Sequence, residues 1–268
     1  SSSAASDVYK RQSLIRDNDA GEGGGLYGCM NIVNCAIINN TTQWLGSGLE
    51  ACSGIINCTI IANRTFRDNP NGGAVAYSEE IYNSIIWGNY AVSTTDQLIG
   101  CTTPAYCCIQ NWTGGGTGNI STDPDFSQNG RWVDSIDPNI VVLPSDPGAL
   151  WVDGNYRLRS TSPCLDAGNN TAVPVGITTD LDGFSRFIDV CRADTGVGPA
   201  PVVDLGAYES RPGDYDGNRL IDLGDFSMLA AHWLMTGCGD CGGADIICDG
   251  NIDMSDLYEL AASWLTGI

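Results

Sequence analysis

Gly28-Cys29-Met30-Asn31-Ile32-Val33-Asn34-Cys35-Ala36-Ile37-Ile38-Asn39-Asn40 is followed 23 residues later by Ala51-Cys52-Ser53-Gly54-Ile55-Ile56-Asn57-Cys58-Thr59-Ile60-Ile61-Ala62-Asn63. Both cysteines, the apolar pairs and the closing asparagine coincide. A looser third copy, Ile81-Tyr82-Asn83-Ser84-Ile85-Ile86-Trp87-Gly88-Asn89, places Asn83 26 residues after Asn57. Glycine-rich bends precede the copies at Gly23-Gly24-Gly25, Gly46-Ser47-Gly48 and Gly72-Gly73. The apolar runs are too short, and the turns too frequent, for a helical repeat. They predict a right-handed parallel β-helix, in which each repeat is one coil and stacked coils bury a column of Ile, Val and Cys.

In that arrangement Asn40, Asn63 and Asn89 stack at a turn, each amide bonding to the next rung. Selection of Asn at turns also generates Asn-x-Thr sequons, such as Asn57-Cys58-Thr59 and Asn63-Arg64-Thr65, without glycosylation. Cys29 with Cys52, and Cys35 with Cys58, fall at equivalent places on neighbouring coils. Strands about 4.8 Å apart would permit disulfides there. A buried ladder of unbonded thiols is the alternative, favoured by the inward-facing positions.

Beyond residue 100 the repeat fades. Tyr106-Cys107-Cys108-Ile109-Gln110, Asp123-Pro124-Asp125-Phe126, Ser162-Pro163-Cys164-Leu165-Asp166-Ala167-Gly168, Asp180-Leu181-Asp182-Gly183 and Asp204-Leu205-Gly206-Ala207-Tyr208-Glu209 follow in order. This series resembles the terminal section of large bacterial β-helix surface proteins. The resemblance implies that 101–210 supplies the terminal coils and the cap of the solenoid of 13–100 and covers its last open edge. Cys164 and Cys191 flank the Asp180 loop and are candidates for a disulfide. Arg211-Pro212 leaves almost no linker, so the segment after it is expected close to the cap.

That segment, 213–268, contains a second repeat. Asp214-Tyr215-Asp216-Gly217-Asn218-Arg219-Leu220-Ile221-Asp222-Leu223-Gly224-Asp225 and Asp245-Ile246-Ile247-Cys248-Asp249-Gly250-Asn251-Ile252-Asp253-Met254-Ser255-Asp256 share the EF-hand ligand spacing. The candidate calcium donors in the first loop are the side chains of Asp214, Asp216, Asn218, Asp222 and Asp225 and the carbonyl of Leu220. In the second they are Asp245, Asp249, Asp253 and Asp256, with the carbonyl of Asn251. Each loop departs once from the pattern. Arg219 replaces the glycine of position 6, at a cost of about 1 kcal/mol or more if it is left-handed. Ile247 stands where position 3 needs an oxygen, so the second site is expected to be the weaker.

Each loop feeds a helix with matching apolar faces, Phe226, Leu229, Ala230, Trp233 and Leu234, then Leu257, Leu260, Ala261, Trp264 and Leu265, which are expected to pack on each other. Spacing, duplication and trailing helices together resemble a type I dockerin. The resemblance implies two bound calcium ions, an all-α module and a cohesin-like protein partner. In that family loop positions 10 and 11 contact the cohesin; here they are Leu223 and Gly224, and Met254 and Ser255.

The composition is compatible with this picture. Lys+Arg 12 against Asp+Glu 32 gives a net charge of −20, which repels nucleic acid and suits divalent cations. Twelve cysteines without zinc spacing suggest an oxidising setting, secreted or at the cell surface. No run of about 20 apolar residues could span a membrane. Ser1 to Gln12 is expected to be foreign to the fold: Asp7-Val8-Tyr9-Lys10-Arg11-Gln12 back-translates as GAT GTG TAT AAG AGA CAG, which resembles a transposase adapter end from sequencing libraries. On that reading the chain is a fragment of a longer protein.

No catalytic residue is assigned. Asp68, Glu79, Glu80 and Asp96 lie near bends, and Asp123/Asp125 and Asp180/Asp182 are read as turn residues beside Pro and Gly. The single histidine, His232, is placed on the surface of the first module helix and excludes a second His-dependent site. The expected function is non-catalytic attachment of a β-helix, associated with polysaccharide. The alternative is the terminal part of a polysaccharide hydrolase or lyase whose catalytic coils lie elsewhere.

Overall fold

The computed structural model describes residues 9–66, 73–92, 94–239 and 241–264. Asp68 and Leu265 therefore lie outside the described residues. The chain is mainly β and winds a parallel solenoid of about four turns. Its most extensive sheet stacks Leu14–Arg16, Ala36–Ile38, Thr59–Ile61, Ile85–Trp87 and Cys108–Ile109, all parallel. Three further parallel sheets of four short strands complete the coils.

Register explains the apolar runs. Ile15, Ile37, Ile60, Ile86 and Ile109 stand in one column and point into the solenoid core. Their neighbours Ala36, Ile38, Ile61 and Ile85 point the other way, yet they too are buried, against Phe126, Leu158, Leu165 and Leu205. Both faces of this sheet are covered, which is why its strands read as continuous apolar runs rather than alternating ones. Much of the section after residue 110 thus lies along the flank of the solenoid, in addition to meeting its end. The end itself is covered by a short parallel bridge from Ile120 to Cys108. Gly206 shows how closely the flank section approaches: its N–H donates to Asn83 O at 2.8 Å, and a Cβ there would lie 2.8 Å from Thr59 Oγ1.

The asparagine stack forms as expected. The backbone N–H and Nδ2 of Asn40 both donate to Asn63 Oδ1, at 3.0 and 2.9 Å, and those of Asn63 donate to Asn89 Oδ1, both at 2.9 Å. Each Nδ2 also donates back one coil, to Ile15 O, Ile37 O and Ile60 O. Gln97 Oε1 then accepts from Asn89 Nδ2 at 2.9 Å and terminates the ladder. Left-handed corners lie one residue before the stacked asparagines, at Asn39, Ala62 and Gly88, and a second left-handed column runs through Asn34, Asn57 and Asn83. Asn57 and Asn63 are buried, in keeping with the structural reading of their sequons.

Eight of the twelve cysteines are unbonded. Cys29, Cys35, Cys52 and Cys58 form the buried thiol ladder, with no disulfide between coils. Ser78 and Ser84 take the third rung, and their N–H groups approach Cys101 Sγ and Cys107 Sγ on a fourth. Residues 101–109 accordingly form another coil. The disulfides are Cys238–Cys241 and Cys191–Cys248. Cys164 is not bonded to Cys191, because it is buried beneath the flank section beside Cys108, while Cys191 faces the carboxyl-terminal module.

Tyr9–Arg11 pairs parallel with Met30–Val33, and Gln12 Nε2 donates to Thr179 Oγ1 at 2.6 Å. This part of 1–12 therefore lies on the solenoid. An open solenoid end presents unpaired backbone groups that any extended segment can meet, regardless of its side chains.

Candidate metal centre

The two loops of the carboxyl-terminal module fold alike. α1 (Leu223–Ala231) and α2 (Met254–Ala262) begin at Asp222 and Asp253, whose side chains accept the N–H groups of Gly224 and Ser255. Asp225 and Asp256 close both capping boxes by accepting the N–H groups of Asp222 and Asp253 at 2.9 Å. The other oxygen of each accepts the N–H at loop position 2, from Tyr215 and Ile246. At position 1, Asp214 accepts from Asn218 and Arg219, and Asp245 from Asp249 and Gly250. The helices end at the equivalent residues His232 and Ser263. The duplication legible in sequence is therefore a duplication of backbone.

Arg219 has φ +81°, matching Gly250 at +80°. Its side chain reaches the flank section, with Nη2 3.6 Å from Asp182 Oδ1, a carboxylate also held by Arg157 at 2.6 Å. A residue tolerated with strain in the loop thus gives the loop a contact with its neighbour.

The loops differ in their carboxylates. In the first, Asp214, Asp216 and Asp225 each bring an oxygen within 4.8 Å of the others. Burial, then repulsion from Asp225 and Asp216, pushes Asp214 up to about 6, against the pull of its two N–H donors. Burial also raises Asp225. Asn218 turns its amide nitrogen to the cluster, Nδ2 donating to Asp216 Oδ2 at 3.0 Å, while Asp222 is held at the helix cap. Leu220 is half-exposed, and its N–H donates to Asn218 Oδ1 at 2.7 Å. The three carboxylates of Asp214, Asp216 and Asp225 are oxygen donors of the kind that fit a hard divalent cation. Among the described residues no such triad forms in the second loop. There Asp245 and Asp256 are buried, Asp253 caps α2, and Asp249 Oδ1 accepts the Asn251 N–H at 2.9 Å. Ile247 occupies the third corner with an apolar side chain that is 39% exposed.

The helices are shorter partners than expected. Of the nine described residues of the two apolar faces, only Leu229 and Leu260 are buried, whereas Phe226, Trp233 and Leu234 are exposed. The small core is completed by loop residues, chiefly Tyr215, Ile221 and Ile252. Nine-residue helices offer too few turns to build that core alone.

The module touches the flank section directly. Asn155 Nδ2 donates to Gly217 O at 2.8 Å, and the Ser160 N–H donates to Tyr215 O at 3.1 Å. The Cys191–Cys248 disulfide enters the second loop at its fourth position. His232 is half-buried, its Nδ1 2.9 Å from Met228 O. Asp180 accepts the N–H groups of Asp182, Phe184 and Glu209, and Asp123 that of Asp125, which are turn-building roles. Among the described residues no helix is long and apolar enough to cross a membrane. Comparisons with family models, curated proteins and solved structures returned no match.

Proposed function

We propose that 213–268 is a calcium-dependent docking module of dockerin type, and that it attaches the β-solenoid to a cohesin-like partner in a secreted or cell-surface setting. The observation that carries this reading is the paired loop geometry, with three carboxylates converging at the first loop and the same backbone repeated at the second. Calcium would be held by Asp214, Asp216, Asn218, Asp222, Asp225 and the Leu220 carbonyl, and more weakly by Asp245, Asp249, Asp253, Asp256 and the Asn251 carbonyl. The equivalent positions 10 support a docking role, because Leu223 and Met254 are 72% and 65% exposed at the helix starts. Apolar side chains displayed in duplicate beside the ion loops suit a protein surface. The attachment could serve a polysaccharide-associated body.

Calorimetric titration of calcium into the full oxidised chain tests the reading. Saturable binding, with the tighter step lost in Asp225→Asn, is expected. Calcium uptake that is unchanged in Asp225→Asn would remove the basis of the module.

A further inference from the structure

A second carboxylate cluster lies on the flank section, away from the repeated loops. Asp166 has a satisfied backbone: its carbonyl accepts the N–H groups of Thr195 and Gly196 at 3.0 and 2.9 Å, and its own N–H donates to Asp204 Oδ1 at 2.8 Å. Its side chain is different. The residue is 0% exposed, and neither carboxylate oxygen has a hydrogen-bond partner. Buried polar groups are almost always paired, so such an orphan requires a missing partner.

The orphaned carboxylate faces two others. Asp189 and Asp194, both exposed, each bring an oxygen so that the three lie within 4.8 Å of one another. Oxygens on opposite sides of one calcium, at about 2.3–2.6 Å each, stand roughly 4.6–5.2 Å apart, so this is the span of a hard-cation shell. Burial, then repulsion from Asp204, Asp189 and Asp194, pushes Asp166 up to about 8. Arg192 is nearby and counteracts part of this. Its Nη1 is engaged by Ser162 O at 2.8 Å and Ser160 O at 3.3 Å, and it gives the Asp166 carboxylate no hydrogen bond. An open cleft of about 720 Å³, bordered by Asp189, Arg192, Thr195, Asp245 and Asp249, reaches the cluster at Asp189.

We propose that Asp166, Asp189 and Asp194 form a further divalent-cation site, all-oxygen and suited to calcium, on the flank section of the solenoid. The assignment does not rest on the reading of the two repeated loops. A bound ion would fasten the 189–194 segment onto Asp166. Cys191 lies within that segment and is bonded to Cys248 of the second loop, so the ion would also fix the covalent anchor of the module.

The test is equilibrium dialysis with radioactive calcium on the full oxidised chain, comparing it with Asp189→Asn/Asp194→Asn. Both replacements are near-isosteric and exposed, and circular dichroism checks that the fold persists. The variant is expected to bind one calcium ion fewer than the parent, whatever number the loops hold, and Asp166→Asn to lose the same ion. Should the double variant misfold, Asp194→Asn alone is expected to weaken one site at least tenfold. An equal number of ions bound with equal affinity by the parent and the folded variants would overturn the site.

Discussion

The solenoid and the carboxyl-terminal module both bury polar side chains in repeats, but with different chemistry. In the solenoid the repeated group is an amide, which donates and accepts, so Asn40, Asn63 and Asn89 satisfy one another coil after coil. In the module it is a carboxylate, which when ionised only accepts, so Asp214, Asp216 and Asp225 converge without neutralising one another. An amide ladder closes on itself, whereas the carboxylate cluster, on the function proposed, takes a cation from outside. The flank section shows a third arrangement. Arg186, fully buried, donates to Asp204 O and Gly206 O, and its Nε stands 3.3 Å from Glu209 Oε2. There the chain supplies its own cation to an acidic group in which burial and Asp204 raise Glu209 well above its ordinary range.

The largest effect expected from breaking this pattern is at Arg186. Replacement by Met leaves Glu209 without its ion-pair partner and the backbone carbonyls of Asp204 and Gly206 without their donor, and should cost about 3–5 kcal/mol by urea denaturation. A loss below 1 kcal/mol would show that the acids are neutralised without it. Next comes Asn63→Asp, which changes one rung from amide to carboxylate. It removes the donor to Ile37 O and Asn89 Oδ1, and a loss of about 2–4 kcal/mol is expected from the same measurement. The smallest effect sharpens the contrast within the module. Ile247→Asp supplies the missing oxygen of the second loop and should tighten its calcium binding about tenfold, or about 1.4 kcal/mol, in a calorimetric titration. Unchanged affinity would mean that position 3 does not reach the ion.

The parts legible in sequence are those governed by repetition. The Ile37, Ile60 and Ile86 column, the asparagine ladder and the 31-residue offset of the loops follow from spacing, because stacked coils and duplicated loops put equal residues in equal places. The coil at 101–109 is among the terminal coils expected after residue 100, but its alignment with the repeat is hidden in sequence because Gln97 ends the ladder in place of an asparagine. The flank packing was hidden because a strand covered on both faces and one covered at its end have the same apolar composition. The Cys191–Cys248 pairing joins residues 57 apart through the tertiary placement of the module, which spacing does not encode. Cys164-Leu165-Asp166-Ala167-Gly168 was legible as an architectural phrase, but its orphaned carboxylate depends on Asp189 and Asp194 arriving from a loop with no repeat of its own. The cysteine count proved the weakest guide, since most of the thiols are unbonded in or beside the solenoid core and only four residues make disulfides.

The central claim is that the solenoid is stable by internal pairing while the module depends on a cation. Amide hydrogen exchange of the full oxidised chain, followed by mass spectrometry in calcium and in chelator, addresses it directly. Protection within 26–109 should be the same in both conditions, and protection within 213–264 should fall at least tenfold in chelator. Equal protection of the module with and without calcium would contradict the account.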